Sequence, residues 1–111
     1  MIVDVSESGV ILLQPGDLRH LHLETSLDAQ RTDDGLIACG LGTMLSEDLA
    51  ALWVSNLRTR ALGQYPAPQQ ISDWEGMLEV AHRRGWASDD GMQVHAHVVH
   101  RSTLEVENSS N

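Results

Sequence analysis

The sequence predicts an α+β domain: a mostly antiparallel sheet of about four strands, with two helices packed on one face. Three observations predict it. Short apolar runs separated by turn residues fill the N-terminal third. Two helix signals occupy the middle of the chain and the stretch from Ser72. A strand that alternates in polarity, from Met92 to Val98, follows the second helix.

The clearest element is the helix over 73–84. Ser72 with Glu75 three residues on fits a capping box. Asp73 and Glu75 also suit the positive end of the helix dipole. Trp74, Met77, Leu78 and Ala81 recur at the spacing of one buried face. Arg83 and Arg84 fall in the last turn, and Gly85 supplies a left-handed C-terminal residue. Asp89-Asp90-Gly91 then marks a turn. Met92, Val94, Ala96 and Val98 alternate with Gln93, His95 and His97, the period of a strand with one apolar and one polar face. The set Asp73-Trp74, Met77-Leu78, Ala81, Gly85-Trp86, Asp90-Gly91 and Ala96-His97-Val98 is similar to a pattern in short uncharacterised proteins of high-GC bacteria. That resemblance spans the last third of the chain. It rests on structural residues and implies no catalytic residue and no activity.

The earlier elements follow from turn chemistry. Residues 2–5 form a strand, 6–9 a turn, and 10–13 a continuous apolar run that fits a strand buried on both faces. Gln14-Pro15-Gly16-Asp17 has the residues of a type II turn. A strand over 18–27 completes a hairpin across it, with Leu21, Leu23 and Leu27 on one side and His20, His22 and Glu24 on the other. A helix capped by Asp17 is the rival reading. Residues 31–35 are polar and end in Asp34-Gly35, a turn signal, and 36–41 is a short third strand. Gly40-x-Gly42 is no phosphate loop, because the chain has no lysine.

Ser46-Glu47-Asp48 opens a helix whose face is Leu49, Leu52, Trp53, Asn56 and Leu57, stopped by Gly63. The alternative is a strand over 52–54 with Ser55 capping a shorter helix. Tyr65-Pro66-Ala67-Pro68 is an extended linker into the last helix. Residues 103–106 prolong the final strand. One domain spans 1–107, and 108–111 is a frayed tail.

Charge narrows the function. Sixteen acidic residues against seven arginines give −9 at neutral pH. That balance argues against nucleic acid, where neutralising phosphate drives binding, and against an anionic membrane surface. It permits a basic protein partner. Cys39 is the lone cysteine, set in an apolar run without a neighbouring base, and reads as an inert buried thiol. No apolar run approaches membrane-spanning length, and no secretory signal opens the sequence. A cytoplasmic protein is the expectation.

The residues that suit chemistry are histidines. His20/His22 and His95/His97 are two His-x-His pairs, and Glu24 extends the first. On a strand, residues two apart share a face. His20, His22, Glu24, His95 and His97 therefore form a candidate metal set for zinc or iron, though a half-exposed strand also carries histidine as ordinary polar surface. Trp53, Trp74 and Trp86 are candidates to line a ligand pocket or an interface. Three functions follow: a non-catalytic binding or regulatory protein for a basic partner, of the kind that restrains a toxic enzyme; a metal-binding protein or metalloenzyme; and a small-ligand protein or small isomerase or cyclase. The first is preferred, because of the charge, the small size and the absence of a catalytic signature; it needs no cofactor, whereas the second would take zinc or iron. An exposed sheet face leaves room for a homodimer.

Overall fold

The computed structural model describes residues 1–15, 17 and 20–101. The chain runs β1 (Ile2–Ser6), β2 (Gly9–Leu13), β3 (His22–Thr25), α1 (Ala29–Ala38), β4 (Gly42–Met44), β5 (Leu49–Trp53), α2 (Val54–Leu62), α3 (Pro68–Arg83) and β6 (Gln93–His100). The α+β class is as the sequence predicts. The sheet is not: among the described residues it has six strands in the order β2-β1-β3-β6-β5-β4, and it is mixed, with β1–β3 and β3–β6 parallel. Three helices, among the same residues, accompany it rather than two.

The hairpin across Pro15-Gly16 does not form. β3 lies beside β1, parallel to it, with Val3 opposite Leu23, while β2 takes the other edge of β1. The strand is also shorter than 18–27, and His20 stands outside it. Asp17 N–H does close a turn on the Gln14 carbonyl at 3.1 Å. The type of that turn depends on Gly16, which lies outside the described residues, as do 103–106 and 108–111.

Residues 31–35 are helix, not turn, and 36–41 is no strand. Asp28 caps α1 by accepting the Arg31 N–H at 2.8 Å. Thr32 and Leu36, one turn apart, are its buried face. Gly35 sits where a Cβ would meet Val5 Cγ1 at 3.3 Å, so a small residue lets the helix lie close on β1. A run of hydroxyls ties α1 to β3. Leu27 N–H donates to Thr25 Oγ1 (3.0 Å), and Thr32 Oγ1 donates to the Asp28 carbonyl (2.8 Å). The 2.9 Å contact between the two hydroxyls is then Thr25 donating to Thr32.

The helix from Ser46 is also overturned. Leu49–Trp53 is strand β5, and α2 begins at Val54, near the alternative of a short strand and a later helix. Gly63 ends α2 with φ +76. α3 starts five residues before the predicted 73, with Pro68 in its first turn. Gln70 Oε1 accepts the Ala67 N–H at 2.8 Å, so the Ser72/Glu75 pair lies inside the helix and caps nothing. Its far end is as read. Gly85 has φ +77, and the Trp86 N–H reaches back to the Ala81 carbonyl at 2.8 Å, the wide bond of a Schellman ending.

All three helices pack on one face. Val3, Val5, Leu23, Leu52, Val94, Ala96 and Val98 from the strands meet Leu36, Leu57 and Trp74 in a single cluster. Strand alternation leaves Ile2, Asp4, His22, Glu24, His95, His97 and Val99 on the opposite face. β2 is an edge strand, not one buried on both faces. Ile11 is 58% and Leu13 42% exposed on it.

Candidate functional site

Register assembles the open face row by row. Leu13, Ile2, His22, His97 and Leu49 are successive partners across five strands. Ile11, Asp4, Glu24 and Val99 form the next row. Ala51 stands opposite His95, and Trp53 opposite Gln93. Side chains in such rows are neighbours, because cross-strand pairs on one face stand within contact of one another.

Asp4 and Glu24 therefore bring two carboxylates together, which like-charge repulsion opposes. Each has its own partner. Arg101 Nη2 donates to Asp4 Oδ1 at 2.7 Å, reaching over from beyond the end of β6. His22 Nε2 contacts Glu24 Oε2 at 2.8 Å, and its Nδ1 lies 3.1 Å from the His20 carbonyl. The two pairs, Arg101–Asp4 and His22–Glu24, stand side by side on a half-buried surface.

The five predicted metal residues are only partly gathered. His22 and His97 are register partners, and Glu24 holds His22. His20 is exposed and off the strand, with Asp17 Oδ2 2.8 Å from its Nδ1. That hydrogen bond holds the Asp17 carboxyl below its ordinary value of 3.8. His95 is a further step along β6. Among the described residues, no group of three or more His, Cys, Asp and Glu is set to hold a metal ion. His100 closes β6, its Nε2 donating to the Glu47 carbonyl at 2.7 Å.

The tryptophans do not converge on one pocket. Trp74 is buried in the core. Trp53 is 39% exposed at the end of β5, on the open face. Trp86 is half exposed beyond α3, under the Arg84 guanidinium at 5.4 Å from its ring centre. A cleft of about 420 Å³ lies elsewhere, between β2 and α1, lined by Gly9, Val10, Leu27, Arg31, Ala38 and Cys39 among others. Cys39 follows the end of α1 and is half-buried, with its Sγ 3.5 Å from the Leu36 carbonyl.

Sequence reasoning missed Asp4 and Arg101, 97 residues apart, because nothing local marks them as a pair. It also missed the apolar half of the face. Ile11 and Leu13 read as core because their run lacks alternation, and Val99 lies beyond the alternating stretch that ends at Val98. No described helix is long and apolar enough to cross a membrane. Set against family models, curated proteins and solved structures, the chain matches none.

Proposed function

We propose that this protein is a non-catalytic binding module that receives a basic protein partner on the open face of its sheet. One observation carries the reading. The face opposite the helices holds Ile11, Leu13 and Val99 exposed at 42–58% around the Asp4–Glu24 pair, and Trp53 39% exposed farther along it opposite Gln93, on a chain of net charge −9. Apolar area gathered on one surface is what a binding face needs, and aromatic and aliphatic anchors supply most interface energy. The surplus of carboxylates steers a basic partner and makes the encounter salt-sensitive. The test uses immobilised protein on a cell extract. A partner is expected that binds at low ionic strength, leaves at high salt, and is not held by Val99→Arg or Trp53→Arg. Capture that ignores both the salt and the two substitutions sinks the proposal.

A second reading has its own observation. His22 and His97 are adjacent on parallel strands with Glu24 beside them, a set that zinc accepts once the His22–Glu24 hydrogen bond opens. Elemental analysis of untagged protein, with a thermal shift on adding Zn²⁺, tests it. No bound metal and no shift removes it.

A further inference from the structure

The two edges of the sheet are finished differently. β4 is three residues long, and its Met44 N–H is taken by Asp33 Oδ1 at 2.7 Å. A short strand with an amide already occupied is a protected edge. β2 has five residues, Gly-Val-Ile-Leu-Leu, with no charge, no proline and unbroken register along β1. Its free side follows from the hydrogen bonds of β1. His22 N–H donates to the Met1 carbonyl at 3.1 Å, which turns the amides and carbonyls of Val3 and Val5 toward β3. Those of Ile2, Asp4 and Ser6 face β2 and bond Leu13, Ile11 and Gly9. Val10 and Leu12 then aim their N–H and C=O groups out of the sheet. Among the described residues no strand pairs with that side.

We propose that β2 pairs antiparallel with β2 of a second copy of this chain, about a two-fold axis at Ile11. The strand is self-complementary there. Val10 of each copy meets Leu12 of the other, and the two exchanges use all four outward groups of each strand. Ile11 faces its counterpart at a position without hydrogen bonds, where opposed side chains come closest. It is also the most exposed of the large aliphatic residues on the described surface, at 58%. Leu13 lies opposite Gly9, which leaves it room. On the helix face, Leu12 of the second copy stands beside Val10, over the cleft between β2 and α1 with its Val10, Leu27, Ala38 and Cys39 lining.

Charge decides how this dimer behaves. β2 carries none; Asp4, the register partner of Ile11, is held by Arg101 at 2.7 Å, and Glu7, in the turn before β2, is 3.0 Å from the Arg31 guanidinium. What remains is repulsion between two bodies of −9 each, which salt screens within about 10 Å. The dimer therefore tightens as salt is added, opposite to a complex with a basic partner. Five paired residues bury less than the roughly 1,600 Å² of a standard interface, so the dimer is concentration-dependent.

Sedimentation velocity of the full chain over a concentration series tests the pairing, with amide exchange read alongside. A monomer–dimer equilibrium is expected that shifts to dimer with salt, while the Val10 and Leu12 amides gain protection as protein concentration rises. Leu12→Pro removes an outward N–H without taking a bond from β1, so it is expected to keep the wild-type circular dichroism and lose the dimer. Ile11→Glu sets two carboxylates against each other at the axis and is expected to do the same. A chain that stays monomeric throughout overturns the proposal. So does a dimer that survives both substitutions.

Discussion

Asp4 and Glu24 are register partners on two parallel strands, so two carboxylates stand side by side on the open face, one held by Arg101 and the other by His22. Asp4 is 16% exposed and Arg101 40%, so this pair is shielded more than a free surface pair. A double-mutant cycle of Asp4→Ala and Arg101→Ala is expected to give a coupling of about 1 kcal/mol that shrinks with salt. Additive losses would show that Arg101 does not relieve the carboxylates.

Gly42 and Gly76 are expected to answer the same substitution with opposite signs. A Cβ on Gly42 would lie 2.1 Å from the Ala51 carbonyl oxygen, a backbone atom that cannot step aside. Gly42→Ala is expected to separate β4 from β5 and cost at least about 3 kcal/mol. Nothing lies within 4 Å of a Cβ on Gly76, which is exposed within α3. Gly76→Ala is expected to add about 0.5–1 kcal/mol, since alanine loses less backbone freedom in a helix. Urea midpoints for the two variants check both signs.

How far the sequence could be read depends on whether an element is decided locally. The far end of α3 was legible, because Gly85 and the Trp74, Met77, Leu78, Ala81 face are local signals. β6 was legible because Val94, Ala96 and Val98 alternate without a break. β5 was not: Leu49-Ala50-Ala51-Leu52 suits helix or strand, and pairing with β6 decides it. α1 was hidden by Asp34-Gly35, which reads as a turn. The glycine answers instead to Val5, a contact across the fold. Of the candidate site, the outward direction of His22, Glu24, His95 and His97 was legible from period 2. That His22 meets His97, and that Arg101 meets Asp4, depends on strand order, which no local pattern carries.

The Asp28 cap tests α1 on its own. Asp28→Ala removes the acceptor of the Arg31 N–H and is expected to cost about 1 kcal/mol. Asp28→Asn and Asp28→Ser are expected to recover most of it. If Asp28→Ala proves silent in thermal unfolding, α1 is held by Thr32 and Leu36 alone.

The turn before β6 gives a pH signature. The Ser88 hydroxyl donates to Asp90 Oδ1 at 2.6 Å, and the Met92 N–H donates to the same oxygen at 2.9 Å. The Ser88 bond first, then the Met92 amide, hold the Asp90 carboxyl below its ordinary value of 3.8. A carboxyl depressed in the folded chain adds stability above its unfolded value, and that stability fades as pH falls through the folded value. Asp90→Asn is therefore expected to be less stable than wild type at neutral pH by an amount constant down to about pH 5, with the gap narrowing in stronger acid. Ser88→Ala is expected to reduce the wild-type acid dependence in the same range. Equal pH profiles for wild type and Asp90→Asn in denaturant titrations would mean that the carboxylate charge does not hold this turn.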